Sequence, residues 1–200
     1  MKFLVISLIV SIALAGRVCL DNGWDIVWTF TDDDVMSLKV SMSEAEFETY
    51  GWFGVGFKLP SEGSGMHDSD ISNIIFHEQD MGSDFHDTWA TTNGVPTNDV
   101  LLGGTDDISQ AVSDEEDESH TFTWNKPVNS GDLYDKLYEE GGSYKLLWAI
   151  GYMEGGIQII HEAGNYGSVD IILSDDFETG CIIMSELEVE TAIEEGGETF

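Results

Sequence analysis

"DVMSLKVSM", residues 34–42, separates into two rows: Val35, Ser37, Lys39 and Ser41 on one side, Met36, Leu38, Val40 and Met42 on the other. A period of two with one apolar row is the signature of a strand that is dry on one face and wet on the other. Comparable short runs recur along the chain: "WDIVWTF" (24–30), "YGWFGVGFK" (50–58), "ISNIIFH" (71–77), "DFHDTWATT" (84–92), "HTFTWN" (120–125), "SYKLLWAIGY" (143–152), "GIQIIHE" (156–162) and "SVDIILS" (168–174). Clusters of Gly, Asp, Asn and Ser separate them. Their number, length and spacing predict an all-β chain, an antiparallel immunoglobulin-like β-sandwich. One short helix is expected in "GDLYDKLYEEGG" (131–142), where Leu133 and Leu137 stand at i, i+4 before glycine. "SQAVSDEEDESH" (109–120) reads as an acidic surface excursion, and "PSEGSGMHDSD" (60–70) as an irregular glycine-rich loop.

The first fifteen residues, "MKFLVISLIVSIALA", combine one lysine, an apolar run and a small-residue ending. They read as a signal peptide (1–15) cleaved before Gly16, which makes the protein secreted. A single domain over 16–185 and an acidic C-terminal tail over 186–200 are expected to follow. No later apolar run reaches the roughly 20 residues a membrane span requires. The chain has 39 acidic against 7 basic side chains, a formal charge of −32. Such a surface repels nucleic acid and anionic lipid and favours a partner with a basic patch. In an oxidising compartment the two cysteines, Cys19 and Cys181, are expected to form a disulfide joining the ends of the domain. Loop entropy assigns such a bridge about 5 kcal/mol. There is no CxxC metal pair, CxxCH haem-attachment motif, Gly-x-Ser-x-Gly elbow or phosphate-binding loop.

His161, in "GIQIIHEAGNYG", interrupts an apolar row. On a strand it shares a face with Ile157 and Ile159. Two readings stay open from the residues alone: an imidazole bonded to backbone at a strand end, or a ligand directed into an apolar cavity. Met66 raises a similar choice, because a methionine is unusual in a glycine-rich loop. Trp52, Phe53, Phe57, Trp148 and Tyr152 supply aromatic surface for either a core or a slot. His67 is an alternative ligand or a solvated loop residue. His77 and His86, with Asp80 or Asp84, match no short zinc or copper spacing. Asp68 with Asp70, and Asp32 to Asp34, offer carboxylates for weak Ca²⁺ binding but lack the EF-hand pattern.

Three segments in order, "GWFGVGF" with "GMHDSDI", then "YKLLWAIG", then "IQIIHEAGNYGSVDIIL", resemble the DOMON family of secreted β-sandwich domains. The resemblance spans roughly residues 24–174. It rests on Gly51-Trp52 with Gly56, Met66 with Asp70, Trp148-Ala149, and His161 with Gly164 or Gly167. A basic residue commonly precedes the last glycine in the family, and Asn165-Tyr166-Gly167 departs from that. Some members are haem b cytochrome domains and others carry no haem. For the cytochrome branch the resemblance implies Met66 and His161 as axial ligands of the haem iron, with Trp52, Phe57 and Trp148 as candidate pocket residues. It implies single-electron transfer to separate redox partners and no substrate turnover by the domain itself. For the other branch it implies a haem-free module binding carbohydrate or protein.

Overall fold

The computed structural model describes residues 15–63, 65–77, 82–116 and 119–181. The expected acidic tail, Asp80, and all but the last residue of the expected signal segment lie outside the described residues. In chain order the strands are β1 (Gly16–Cys19), β2 (Asp25–Thr31), β3 (Val35–Ser43), β4 (Trp52–Lys58), β5 (Asp70–Phe76), β6 (Ser83–Trp89) and β7 (Thr97–Asn98). They continue with β8 (Ser109–Glu116), β9 (Ser119–Pro127), β10 (Gly142–Gly151), β11 (Met153–Glu154), β12 (Ile157–Gln158), β13 (Tyr166–Leu173) and β14 (Glu178–Thr179). Among the described residues there are two helices, α1 (Glu44–Thr49) and α2 (Asp99–Leu102), with a 3-10 turn at Pro60–Glu62.

One six-stranded sheet runs β14-β1-β2-β3-β9-β8 and the other β13-β10-β4-β5-β6-β7, with β11-β12 as a separate hairpin. Pairing is antiparallel except between β1 and β14. The expected sandwich is therefore the observed fold. The apolar row of β3 (Met36, Leu38, Val40, Met42) faces inward with Ile26, Trp28, Phe122 and Trp124. Phe53, Val55 and Phe57 of β4, Ile74 and Phe76 of β5, and Tyr144 and Leu146 of β10 meet them from the opposite sheet. Cys19 and Cys181 form the expected disulfide.

Helix α1 closes one end of the sandwich. Ser43 and Glu46 form a capping box, Phe47 stacks on His120 at 3.8 Å between ring centroids, and Glu46 Oε1 accepts from Trp24 Nε1 at 2.9 Å. The helix expected over 131–142 is absent. Its polar side chains compete for the backbone instead: Gly131 N donates to Asn129 Oδ1, Asp132 N to Ser130 Oγ and Tyr134 N to Asp132 Oδ1. Two further amides are taken by distant partners, Lys136 N by Asp70 Oδ2 and Tyr138 N by Val128 O. The stretch 109–116, read as an excursion, is the edge strand β8. Acidic side chains suit an edge because they stay solvated and discourage pairing with a second chain.

β9 carries Phe122, Trp124 and Lys126 on one inward row, so the last of these buries an amine between the sheets. Lys126 Nζ donates to Asp70 at 2.5 Å, Asp87 at 2.6 Å and Asp135 at 2.9 Å. Burial alone would lower Lys126, but Asp70, Asp87 and Asp135 overcome it and hold the ammonium well above its ordinary value. Tyr138 Oη adds a bond to Asp70 at 2.5 Å. Asp99, the first residue of α2, is fully buried beside this group, and neither of its oxygens has a partner. Burial first, then the negative charge of Asp87 and Asp70, pushes Asp99 up to about 8.

A folded value above the unfolded one means that the native state binds the proton more tightly, so this contribution is complete below about pH 4 and is lost as pH rises to about 8. Asp87, raised to about 7 chiefly by burial, acts in the same direction. Urea midpoints are accordingly expected to fall between pH 5.5 and pH 8, and Asp99→Asn is expected to flatten that fall. An unchanged slope in the variant would assign the pH dependence elsewhere.

Candidate functional site

The outer face of the β13-β10-β4-β5-β6-β7 sheet is the floor of a cavity of about 380 Å³. Alternation along β4 sends Phe53, Val55 and Phe57 to the core and turns Trp52 and Gly54 to the floor, where Ile71 and Asn73 of β5 join them. Leu147 and Ala149 of β10 and Tyr166 and Ser168 of β13 complete it. Three loops make the walls: Gly65-Met66, Asn93 to Pro96, and the segment holding Gln158, Ile160 and His161.

Two glycines allow tryptophans to lie flat across neighbouring strands. Gly151 pairs with Trp52, and a Cβ there would sit 2.7 Å from the indole. Gly167 pairs with Trp148 in the same way, again at 2.7 Å from the ring. Trp52 also donates from Nε1 to Ile159 O at 3.0 Å, tying the floor to the wall that carries His161. Trp148 borders the cavity, but its ring lies 5.7 Å from that of buried Trp24. Phe57 does not reach the cavity. It stands on the inward row of β4, edge-on to Tyr138 at 5.4 Å, because its parity is opposite to that of Trp52.

Met66 is held from both sides. Lys58, fully buried at the end of β4, donates from Nζ to Gly65 O at 3.1 Å and His67 O at 2.8 Å. Asn93 Oδ1 accepts from the amides of Met66 and His67 at 3.1 and 3.2 Å. His161 lines the same cavity from the segment that follows β12. The strand expected over 156–162 covers only Ile157–Gln158, so the alternation stops before the histidine. Gln158, Ile160 and His161 face the cavity, whereas Ile157 is 68% exposed. The imidazole packs 4.2 Å from the Tyr166 ring and 6.5 Å from Trp52. Its Nδ1 is buried without a partner, and burial lowers its pKa, which favours the neutral ring.

The other candidate ligands go elsewhere. His67 is an exposed neighbour of Asp68, Nδ1 to Oδ2 2.9 Å, and does not line the cavity. His77 pairs with exposed Asp84 at 3.0 Å, and His86 lies within β6 opposite Asn73. Asp70 is sequestered by Lys126, apart from the exposed Asp68.

The family model for the DOMON domain matches residues 20–151. The chain belongs to the DOMON family. Among solved structures, this DOMON chain is similar to the cytochrome b domain of pyranose dehydrogenase from Coprinopsis cinerea, with a TM-score of 0.55 at 11% identity over 87% of each chain. At that identity the likeness shows the fold. A search of curated proteins finds no match.

Several cavity residues were not anticipated from sequence: Asn73, Asn93, Val95, Pro96, Gln158 and, behind the wall, Lys58. Asn73 carried a usable signal as the polar member of the Ile71, Asn73, Ile75 row. Lys58 carried another, as a lysine continuing a strand that is buried along its whole length.

Proposed function

We propose that this DOMON domain is a secreted haem b module for single-electron transfer, with Met66 and His161 as axial ligands. The observation carrying the reading is that these two residues, 95 positions apart in sequence, line one apolar cavity. The residues fit the group. A thioether and a neutral imidazole are a low-spin ligand set, His161 has an unpartnered buried nitrogen, and Trp52, Ile71, Leu147 and Ile160 offer flat and aliphatic contact. When bound, haem supplies one-electron redox chemistry, with a potential raised by a methionine ligand. The chain's own residues position the ligands: Lys58 and Asn93 fix the Met66 backbone, and Tyr166 with Trp52 fixes the imidazole plane. The disulfide is consistent with an oxidising, extracellular setting, and no helix among the described residues is long and apolar enough to cross a membrane. Electrons would pass to and from separate partners, for which the acidic surface favours basic docking faces.

A second reading has one observation in its favour: the amides of Asn73, Asn93 and Gln158 line the same cavity beside Trp52 and Tyr166, a set suited to sugar hydroxyls. The visible spectrum of protein made in an oxidising compartment with haem available separates the two. The expected result is a Soret band with sharp α and β bands after dithionite. A folded, colourless protein that takes up no added haem would overturn the cytochrome reading and direct the work to a glycan screen.

A further inference from the structure

Asn-Gly occurs twice in the chain, at Asn22-Gly23 and at Asn93-Gly94 in the cavity wall. In this dipeptide the glycine nitrogen can close onto the asparagine side-chain carbonyl, because glycine has no Cβ to hinder the approach. The fold treats the reacting groups of the two copies differently. Gly23 N donates to Leu20 O at 2.9 Å in a turn with Gly23 at φ +91°, so this nitrogen is engaged. Asn22 Oδ1 accepts from a single amide, Trp24 N at 3.3 Å. At the second copy Gly94 N donates to no group among the described residues, and Asn93 is an exposed residue in the bend over 91–95. Asn93 Oδ1 accepts from two successive amides, Met66 N at 3.1 Å and His67 N at 3.2 Å.

We infer that Asn93 is a site of spontaneous deamidation that ages the Met66 wall of the cavity. The two amides on Oδ1 polarise the side-chain carbonyl and already touch the atom that becomes the oxyanion of the tetrahedral intermediate, in the manner of an oxyanion hole. Gly94 N loses its proton to hydroxide and bonds to Asn93 Cγ; the Cγ–Nδ2 bond breaks and ammonia leaves, giving a cyclic succinimide. Water then opens the ring, at Cγ to give aspartate or at the α-carbonyl to give isoaspartate. One water is consumed, one ammonia is released and no electron is transferred. A Cβ on Gly94 would meet only Thr92 Oγ1, at 3.3 Å, so the space beside the glycine is otherwise open. Both products place a negative charge in the wall. Isoaspartate also adds a carbon to the backbone, which withdraws the acceptor from the amides of Met66 and His67 and leaves their loop held by Lys58 alone. None of this chemistry requires haem.

The test incubates the full chain at pH 8, folded and in urea, and maps peptides by mass spectrometry for conversion of amide to carboxyl at Asn93 and Asn22. Isoaspartate is scored separately. In the folded protein Asn93 is expected to convert at least ~10-fold faster than Asn22, and no more slowly than it does in urea. In urea the two Asn-Gly pairs should react alike, which makes the difference a property of the fold. Gly94→Ala should slow conversion at Asn93 several-fold and leave Asn22 unchanged. Hydrogen exchange at the Met66 and His67 amides should quicken in the aged fraction while β4 keeps its protection. Equal rates at the two sites in folded protein, a faster Asn22, or an Asn93 slower when folded than in urea would each overturn the assignment. Unchanged exchange at Met66 and His67 after full conversion would overturn the effect on the wall.

Discussion

His161→Ala protein is expected to fold normally and to bind haem at least ~100-fold more weakly, emerging from purification without a Soret band. The imidazole is half-buried in a loop outside both main sheets, so its removal leaves the core intact; what disappears is the only nitrogen ligand facing the cavity among the described residues. Met66→Leu should behave differently. The alkyl side chain fills similar volume, His161 still anchors the iron, and haem is retained in a high-spin form with a lower potential, because the thioether that favours the reduced state is gone. The measurements are the absorption spectrum and a redox titration. Unchanged spectra in both variants would remove Met66 and His161 from the ligand set. A parallel His67→Ala variant should match the parent, since His67 points away from the cavity toward Asp68.

Lys126→Met is expected to be the most destabilising single change in the sandwich, at about 3–5 kcal/mol. The methionine replaces the aliphatic stem well enough. It leaves Asp70, Asp87 and Asp135 facing one another without their shared cation, and two of the three have side chains no more than 1% exposed. The loss should depend on pH in a way that identifies its cause. Without the ammonium the native carboxylates bind protons more tightly than in the unfolded chain, so stability of the variant should recover as pH falls toward 4. Adding Asp70→Asn to Lys126→Met should restore part of the loss at pH 7. Urea unfolding at pH 7 and pH 5 decides this. A loss below 1 kcal/mol, or one independent of pH, would show that the three aspartates are satisfied without Lys126.

The sheets were legible in the sequence because their signal is local: alternation in 34–42 set the dry face of β3, and the same logic applies to β9. The site was legible only through resemblance, which pointed to Met66 and His161 without showing what joins them. Parity explains the error at Phe57, since Trp52 and Phe57 are five positions apart on one strand and must face opposite ways. The helix expected at 131–142 failed because Asn129, Ser130 and Asp132 cap their own turns, a choice that depends on which amides Asp70 and Val128 take from across the fold. Lys126 was visible in principle as a charge in the apolar phase of "HTFTWNK". Its meaning depends on three aspartates supplied by two other strands and a loop, and no window of sequence contains them.

The support of the two cavity walls has a consequence for how the site would be filled. Lys58 and Asn93 clamp the Met66 backbone, and the segment carrying His161 is tied by Trp52 Nε1 to Ile159 O, by Ile159 N to Tyr152 O and by a reciprocal amide pair between Asn73 and Gln158. A slot braced on both sides loses little conformational freedom when it is occupied, so selectivity would follow from its shape and not from the ordering of a loop.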